Sequence, residues 1–338
     1  MNTIIYPWQN ELWERLANAR QRLPHALLLR GRHGTGKFGF SLQLTRSLLC
    51  ERPGADGHAC GICASCGWFD QNNHPDYRLL TPEQEGGNGE DENPTVSPKS
   101  KKTQISVTQI RELASFLGLS SHRGGGLRIA LIHPAETLNA ASANALLKML
   151  EEPPADAVFI LVSHQPHRLL PTIVSRCQKI DMPVPDTDSA LQWLSERGMR
   201  DADSWLQYAG GSPLTVLTDM EEGAKQPDKL WQALSMGARL DPFVTAPLCM
   251  AQGMEAAINA LQKWVYDLIS CHLTQQVRYH AQQTSALQAL IKSVDFGLLL
   301  DFQHKLDEAR KSATHPLNNE LQLENLLLQY TQMFSTQI

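Results

Sequence analysis

Four cysteines stand close together in the pattern Cys50-x9-Cys60-x2-Cys63-x2-Cys66. Small residues between them (Gly57, Gly61, Ala64, Ser65, Gly67) permit the tight turns that a tetrahedral site needs. Four thiolates at this spacing bind a metal. Zinc is the expected ion, and because the four soft ligands close its coordination shell, its role is structural. An iron–sulfur cluster is the alternative, since C-x2-C-x2-C also begins a ferredoxin run, but no Cys-Pro follows here. His58 and His74 read as bystanders.

A second group has the spacing of a phosphate cradle. Gly31-Arg32-His33-Gly34-Thr35-Gly36-Lys37-Phe38 fits G-x-x-x-x-G-K between an apolar strand and a helix. In that context backbone N–H groups surround a phosphate while the lysine reaches its outer oxygens. Gly31, Gly34, Gly36 and Lys37 are therefore the candidate nucleotide-binding residues. The next position should carry the hydroxyl that ligates Mg²⁺, and Phe38 has no oxygen. The acid expected after a second strand is missing as well, for Leu127–Ile132 runs into His133-Pro134-Ala135-Glu136. With two parts gone, neither Mg²⁺ nor intrinsic ATPase is expected, and ATP binding is doubtful. A plain strand–helix turn without nucleotide is the bland alternative.

Two further motifs stand out. Asn144-Ala145-Leu146-Leu147-Lys148-Met149-Leu150-Glu151-Glu152-Pro153-Pro154 ends a helix in two acids and two prolines. Ser175-Arg176-Cys177 follows the next strand and loop. Ser163, just past an apolar strand, is either a polar sensor or a strand cap, and Cys177 reads as a small buried hydrophobe.

The elements that must position these groups alternate. Strand-like runs at 25–30, 77–81, 127–132 and 157–162, with a further one at 178–182, are separated by amphipathic helices, one through Leu49, one from about Val107 and one over Asn139–Leu150. That alternation predicts a parallel sheet covered on both faces. After Pro183 and Pro185 only helical periodicity remains, with helices expected at Asp188–Arg197, Ala202–Ala209 and Leu214–Glu222, then more to the end. Residues 83–104 are rich in Pro, Gly and charge, and their low apolar content predicts a mobile insertion.

The chain has 338 residues, long enough for two or three domains, and its 42% hydrophobic and 19% charged residues exclude wholesale disorder. No apolar run is long enough to cross a bilayer, and the N-terminus has no signal-peptide pattern, so a cytoplasmic location without membrane contact is expected. In that reducing compartment the seven cysteines are not expected to form disulfides. The formal net charge is −5, so the chain alone carries no electrostatic footprint for nucleic acid.

Taken together, the broken P-loop, the four-cysteine module, LLKMLEEPP and SRC, in this order, resemble the delta-prime subunits of the bacterial DNA polymerase III clamp loader. The specific motifs cover about the first 215 residues; beyond them the resemblance rests on helical character and length. It implies an α/β AAA+ P-loop domain at 1–182 carrying the zinc module (50–66), a small helical lid at 183–222, and an all-α collar at 223–338 through which a ring assembles. It implies a non-catalytic member of the machine that opens the sliding clamp and places it on primed DNA, with gamma/tau-type motor subunits and a delta-type subunit as partners. Arg176 would then be an arginine finger acting in trans on a neighbour's ATP. Motor subunits carry an arginine shortly after a Gly-Ser pair in the lid, where Gly211-Ser212-Pro213-Leu214 has leucine. Two rivals remain: a P-loop ATPase with an atypical metal site, and a zinc-containing nucleotide-binding regulator.

Overall fold

Proline is the only residue without a backbone donor, and the chain places its first at the start of a short 3₁₀ turn, Pro7–Gln9, where no donor is needed. The computed structural model describes residues 5–82, 104–119, 126–199, 201–221, 228–250, 253–312 and 318–334; the expected insertion at 83–104 lies, but for Gln104, outside them. The described residues divide into two units, Met1–Pro185 and Asp186–Ile338. The expected collar, and the expected lid but for residues 183–185, fall in the second.

In the first unit the helices are α1 (Asn10–Asn18), α2 (Lys37–Leu49), α3 (Ala64–Asp70), α4 (Val107–Gly118), α5 (Ala140–Glu151) and α6 (Pro171–Arg176). The strands are β1 (Ala26–Arg30), β2 (Tyr77–Leu80), β3 (Arg128–Ile132), β4 (Ala157–Ser163) and β5 (Gln178–Asp181). They form one parallel sheet in the order β2-β3-β4-β1-β5. Because successive side chains of a strand point to opposite faces, Leu28, Ala130, Ile132, Phe159 and Leu161 pack toward α4, α5 and α6, while Leu27, Leu29, Ile129, Leu131, Val158 and Ile160 pack toward α1 and α2. At the end of β1, Arg30 stands in register with Asp181 of β5, and its Nε and Nη2 donate to the two carboxylate oxygens at 2.6 and 3.0 Å.

Capping explains several helix starts. Ser106 and Gln109 exchange bonds as a capping box at α4, and Asn139 Oδ1 accepts from the Ser142 N–H at α5. β3 opens with a charged residue, Arg128, only 3% exposed. Its Nη1 donates to the Phe116 carbonyl at 2.5 Å, and its Nε lies 3.9 Å from an Asp76 carboxylate oxygen.

The second unit is wholly helical among the described residues: α7 (Thr187–Ser195), α8 (Ala202–Tyr208), α9 (Pro213–Glu221), α10 (Asp228–Ser235), α11 (Pro242–Met250), α12 (Met254–Thr274), α13 (Thr284–Leu290), α14 (Phe296–Ser312) and α15 (Asn319–Gln332). Its core centres on Ile258, Leu261, Trp264, Val265 and Leu268 of α12. Trp264 Nε1 donates to the Tyr330 hydroxyl at 2.9 Å, which donates onward to the Leu234 carbonyl at 2.7 Å, so one buried chain of bonds joins α12, α15 and α10. Asp267, fully buried, accepts from the backbone N–H groups of Arg278, Tyr279 and His280 and from His280 Nδ1, which shapes the turn after α12. No described helix is long and apolar enough to cross a membrane.

Candidate functional site

The carboxyl ends of β1, β3 and β4 are adjacent, so the loops that leave them share one edge of the sheet, the usual ligand position in an open parallel sheet. Gly36 at φ +85° closes the glycine-rich loop, and a Cβ there would lie 2.6 Å from the Tyr6 ring, so only glycine fits. Trp8 Nε1 and Gln9 Nε2 both donate to the Thr35 carbonyl, at 3.2 and 2.9 Å, which ties the N-terminal turn to the loop. Lys37 is 2% exposed, and its Nζ donates back to the Arg32 carbonyl within the loop. Burial pushes its ammonium down to about 8, against the attraction of Glu136.

Around it stand three imidazoles together with Glu136. Phe38 stacks on His133 with ring centres 4.3 Å apart. His133 Nε2 and His164 Nε2 are 3.3 Å apart, and the His33 ring meets His164 edge-on at 4.8 Å. Glu136 Oε1 accepts from the His164 N–H at 3.0 Å. Ser163, fully buried at the end of β4, accepts from the Gln165 N–H at 3.2 Å, the geometry of a strand cap. In the second unit Leu214 lies in the first turn of α9.

Burial pushes His133 down to about 4, with Glu136 opposing, and His164 down to about 3, with Lys37 and His33 adding to the effect. Both folded values lie below the ~6.5 of an unfolded histidine, so the folded chain binds fewer protons. The stability they contribute is complete above about pH 6.5 and drains as pH falls toward about 4 and 3. Urea midpoints should therefore drop between pH 6.5 and 5, above the ordinary carboxylate range, and the drop should shrink in His133→Phe and His164→Asn variants. A slope unchanged in both variants would contradict this.

The four cysteines converge at the end of α2 and the start of α3, with all four Sγ atoms within 4.8 Å of one another. Cys50 and Cys63 Sγ are 4.0 Å apart, near the roughly 3.8 Å edge of a tetrahedron with Zn–S bonds of about 2.3 Å. Backbone N–H groups aim at the sulfurs, Cys60 N–H to Cys50 at 3.2 Å and Cys66 N–H to Cys63 at 3.4 Å. Donors from Ile62 and Cys63 help bring Cys60 down to about 6, whereas burial, with the Cys63 and Cys50 sulfurs adding to it, drives Cys66 up to about 12. The set can hold a metal ion. His58 stacks on Trp13, and His74 bonds Ser65 Oγ at 2.7 Å, so neither belongs to it.

Arg176 is the last residue of α6, which is anchored by the fully buried Ile173 and followed by buried Cys177. Its Nη1 donates to the Thr172 carbonyl at 3.0 Å and its Nη2 to Glu151 Oε1 at 2.6 Å, with the guanidinium side chain 35% exposed. Cys177 belongs to the sheet core, and burial raises its thiol to about 11. Sequence reasoning missed His33 and His164 beside His133, the Trp8–Gln9 tether and the Glu151 partner. Only His164 carried a signal, since it directly follows the residue that ends β4.

A family model described as DNA polymerase III, delta subunit, matches residues 8–186, and one described as DNA polymerase III, delta subunit, C terminal, matches 223–332. The chain is 41% identical over 227 residues to a DNA polymerase III subunit delta′ from Pseudomonas aeruginosa, covering 66% of this chain and 63% of that one. With the subunit delta′ of Escherichia coli it shares 36% over 218 residues, 63% and 60% of the two chains, and with that of Bacillus subtilis 38% over 161 residues, 48% and 43%. The chain thus spans less than two thirds of the length of these curated relatives. A solved structure of a DNA polymerase III, gamma subunit-related protein from Thermotoga maritima aligns over 95% of this chain and 99% of its own at 20% identity, with a TM-score of 0.41.

Proposed function

This chain belongs to the DNA polymerase III delta subunit family, and from that premise we propose that it is a delta-prime-type, non-catalytic subunit of the replicative clamp loader. It joins gamma/tau-type motor subunits and a delta-type subunit, contributes to loading the sliding clamp on primed DNA in the cytoplasm, and supplies Arg176 to a neighbour's ATP. The three-part division at 182 and 222 goes with this reading, the lid and collar following the nucleotide-binding-like domain.

One observation carries it. The glycine-rich loop at the end of the sheet supports this reading, since Lys37 bonds back onto the Arg32 carbonyl, and Phe38 and His133, stacked on each other, occupy the positions where an ATPase motif calls for a hydroxyl and an acid. Gly31, Gly34, Gly36 and Lys37 then shape a loop rather than turn over nucleotide. Cys50, Cys60, Cys63 and Cys66 hold one zinc, which supplies cross-linking and no catalysis.

The test is reconstitution. The purified chain should enter a defined hetero-oligomer with the motor subunits and support clamp loading, while alone it hydrolyses ATP at background. Magnesium-dependent turnover by the isolated chain that disappears in Lys37→Ala would restore the ATPase reading. Failure to join any motor subunit would favour the separate zinc-containing regulator.

A further inference from the structure

Glu151 is the last residue of α5, where unpaired carbonyls give the helix end a partial negative charge. A carboxylate is misplaced there by its own helix, and Glu152 adds a second acid. The misfit is answered across the gap between two helix ends by Arg176, whose Nη2 reaches Glu151 Oε1 at 2.6 Å. The Thr172 carbonyl holds Nη1 at 3.0 Å. Both anchors stand on rigid ground: Leu146 and Leu150 of α5 and Ile173 of α6 are buried in one core.

We infer that Glu151 is a positioning residue for Arg176, holding its guanidinium in one orientation at the edge of the chain before a neighbour's phosphate arrives. The inference rests on the reading of Arg176 as a trans-acting group. The two bonds use one hydrogen on each terminal nitrogen, and a guanidinium has five, so three remain for an incoming phosphate without breaking either anchor. Arginine is among the side chains with most rotamer freedom to lose, and ordering it beforehand removes that cost from the moment of reaction. Glu151 is 50% exposed, and ion pairs of that exposure shift a side-chain equilibrium roughly two- to fivefold. That range sets the size of the effect.

The experiment compares clamp loaders rebuilt with wild-type chain, Glu151→Gln, Glu151→Asp, Arg176→Ala, and Glu151→Gln with Arg176→Ala. Glu151→Gln should lower turnover at the one ATP site this chain faces about two- to fivefold with KM for ATP unchanged, so the clamp-stimulated kcat of the whole complex falls by less than in Arg176→Ala. Glu151→Asp, which keeps the charge but shortens the reach, should do the same. In the Arg176→Ala background Glu151→Gln should add nothing, because its effect passes through the guanidinium. An unchanged or raised kcat in Glu151→Gln overturns the positioning role, and so does an equal loss with and without Arg176, which would make Glu151 merely structural. If Arg176→Ala itself runs at the wild-type rate, the trans reading fails and this inference with it, an outcome distinct from the others. Should the Gln variant assemble poorly, the Asp variant and the ¹⁵N line shape of the Arg176 guanidinium in the free chain decide. Slow rotation in wild type and fast rotation in Glu151→Asp support the role, and identical line shapes refute it.

Discussion

A clamp loader rebuilt with Arg176→Ala should assemble normally and lose ATP turnover at the one site this chain faces. Where an arginine finger is essential its removal costs ~10³ to 10⁵ in rate, because a fixed guanidinium offsets the negative charge that spreads over the phosphoryl oxygens in the transition state. Total ATPase of a ring with several sites then falls only in part, whereas clamp loading, which needs the sites to fire together, falls further. Arg176→Lys should recover little of the loss. An ammonium is a point charge without the planar fork, and it cannot bond the Thr172 carbonyl, Glu151 and a phosphate together in the same geometry. Steady-state ATPase and loading of labelled clamp, after gel filtration has confirmed assembly, measure this. Wild-type rates would leave Arg176 a surface residue in a local ion pair and the chain a purely structural subunit.

The second large effect is expected at the cysteines. A Cys63→Ser/Cys66→Ser chain should retain less than ~0.1 zinc by elemental analysis, against about one in wild type, since structural zinc sites in small modules bind with apparent energies of ~10–16 kcal/mol and two missing thiolates remove most of that. The consequence is local. Cys63 also caps α3, accepting the Cys66 N–H, and α3 carries Phe69 against Tyr77 in the sheet core. Without metal, residues 50–70 should become the first site of proteolytic cleavage. Iron with acid-labile sulfide in the wild-type chain, or metal content unchanged in the variant, would contradict the zinc assignment.

How much of this could be read beforehand depends on the distance over which each feature acts. The parallel sheet was legible because runs such as Ala157–Val162 are apolar on both faces, and five strands alternating with helices leave few other arrangements. The cysteine set was legible because its ligands lie close in the chain, and their spacing alone nearly determines that they meet. The imidazole group was not. His33, His133 and His164 are brought together only by the order β3-β4-β1, and a sequence with no pairing information cannot say that these three loops are neighbours. The same holds for Glu151 and Arg176, whose helices meet only after β4 has crossed beneath them. Buried Arg128 at the head of β3 also ran against the apolar pattern, since its partners, Asp76 and the Phe116 carbonyl, belong to other elements. The Pro7–Gln9 turn went unread because its role, tethering Thr35, is tertiary.

The pair between Arg30 and Asp181 has a consequence best put in the language of codes. Leu27, Leu28 and Leu29 are one letter written three times, and both faces of the sheet accept it, so sliding β1 by one residue would exchange leucine for leucine and leave the hydrophobic message unchanged. A strand buried on both sides is, in that sense, redundant where an alternating strand would be self-checking. The charged letter that ends the run removes the ambiguity, because Arg30 meets Asp181 with two parallel bonds only when the strands stand at a single offset. It works as a framing mark. Being exposed, it adds little to stability, yet it sets where the next symbol, Gly31, begins, and with it the place of every residue of the loop down to Lys37.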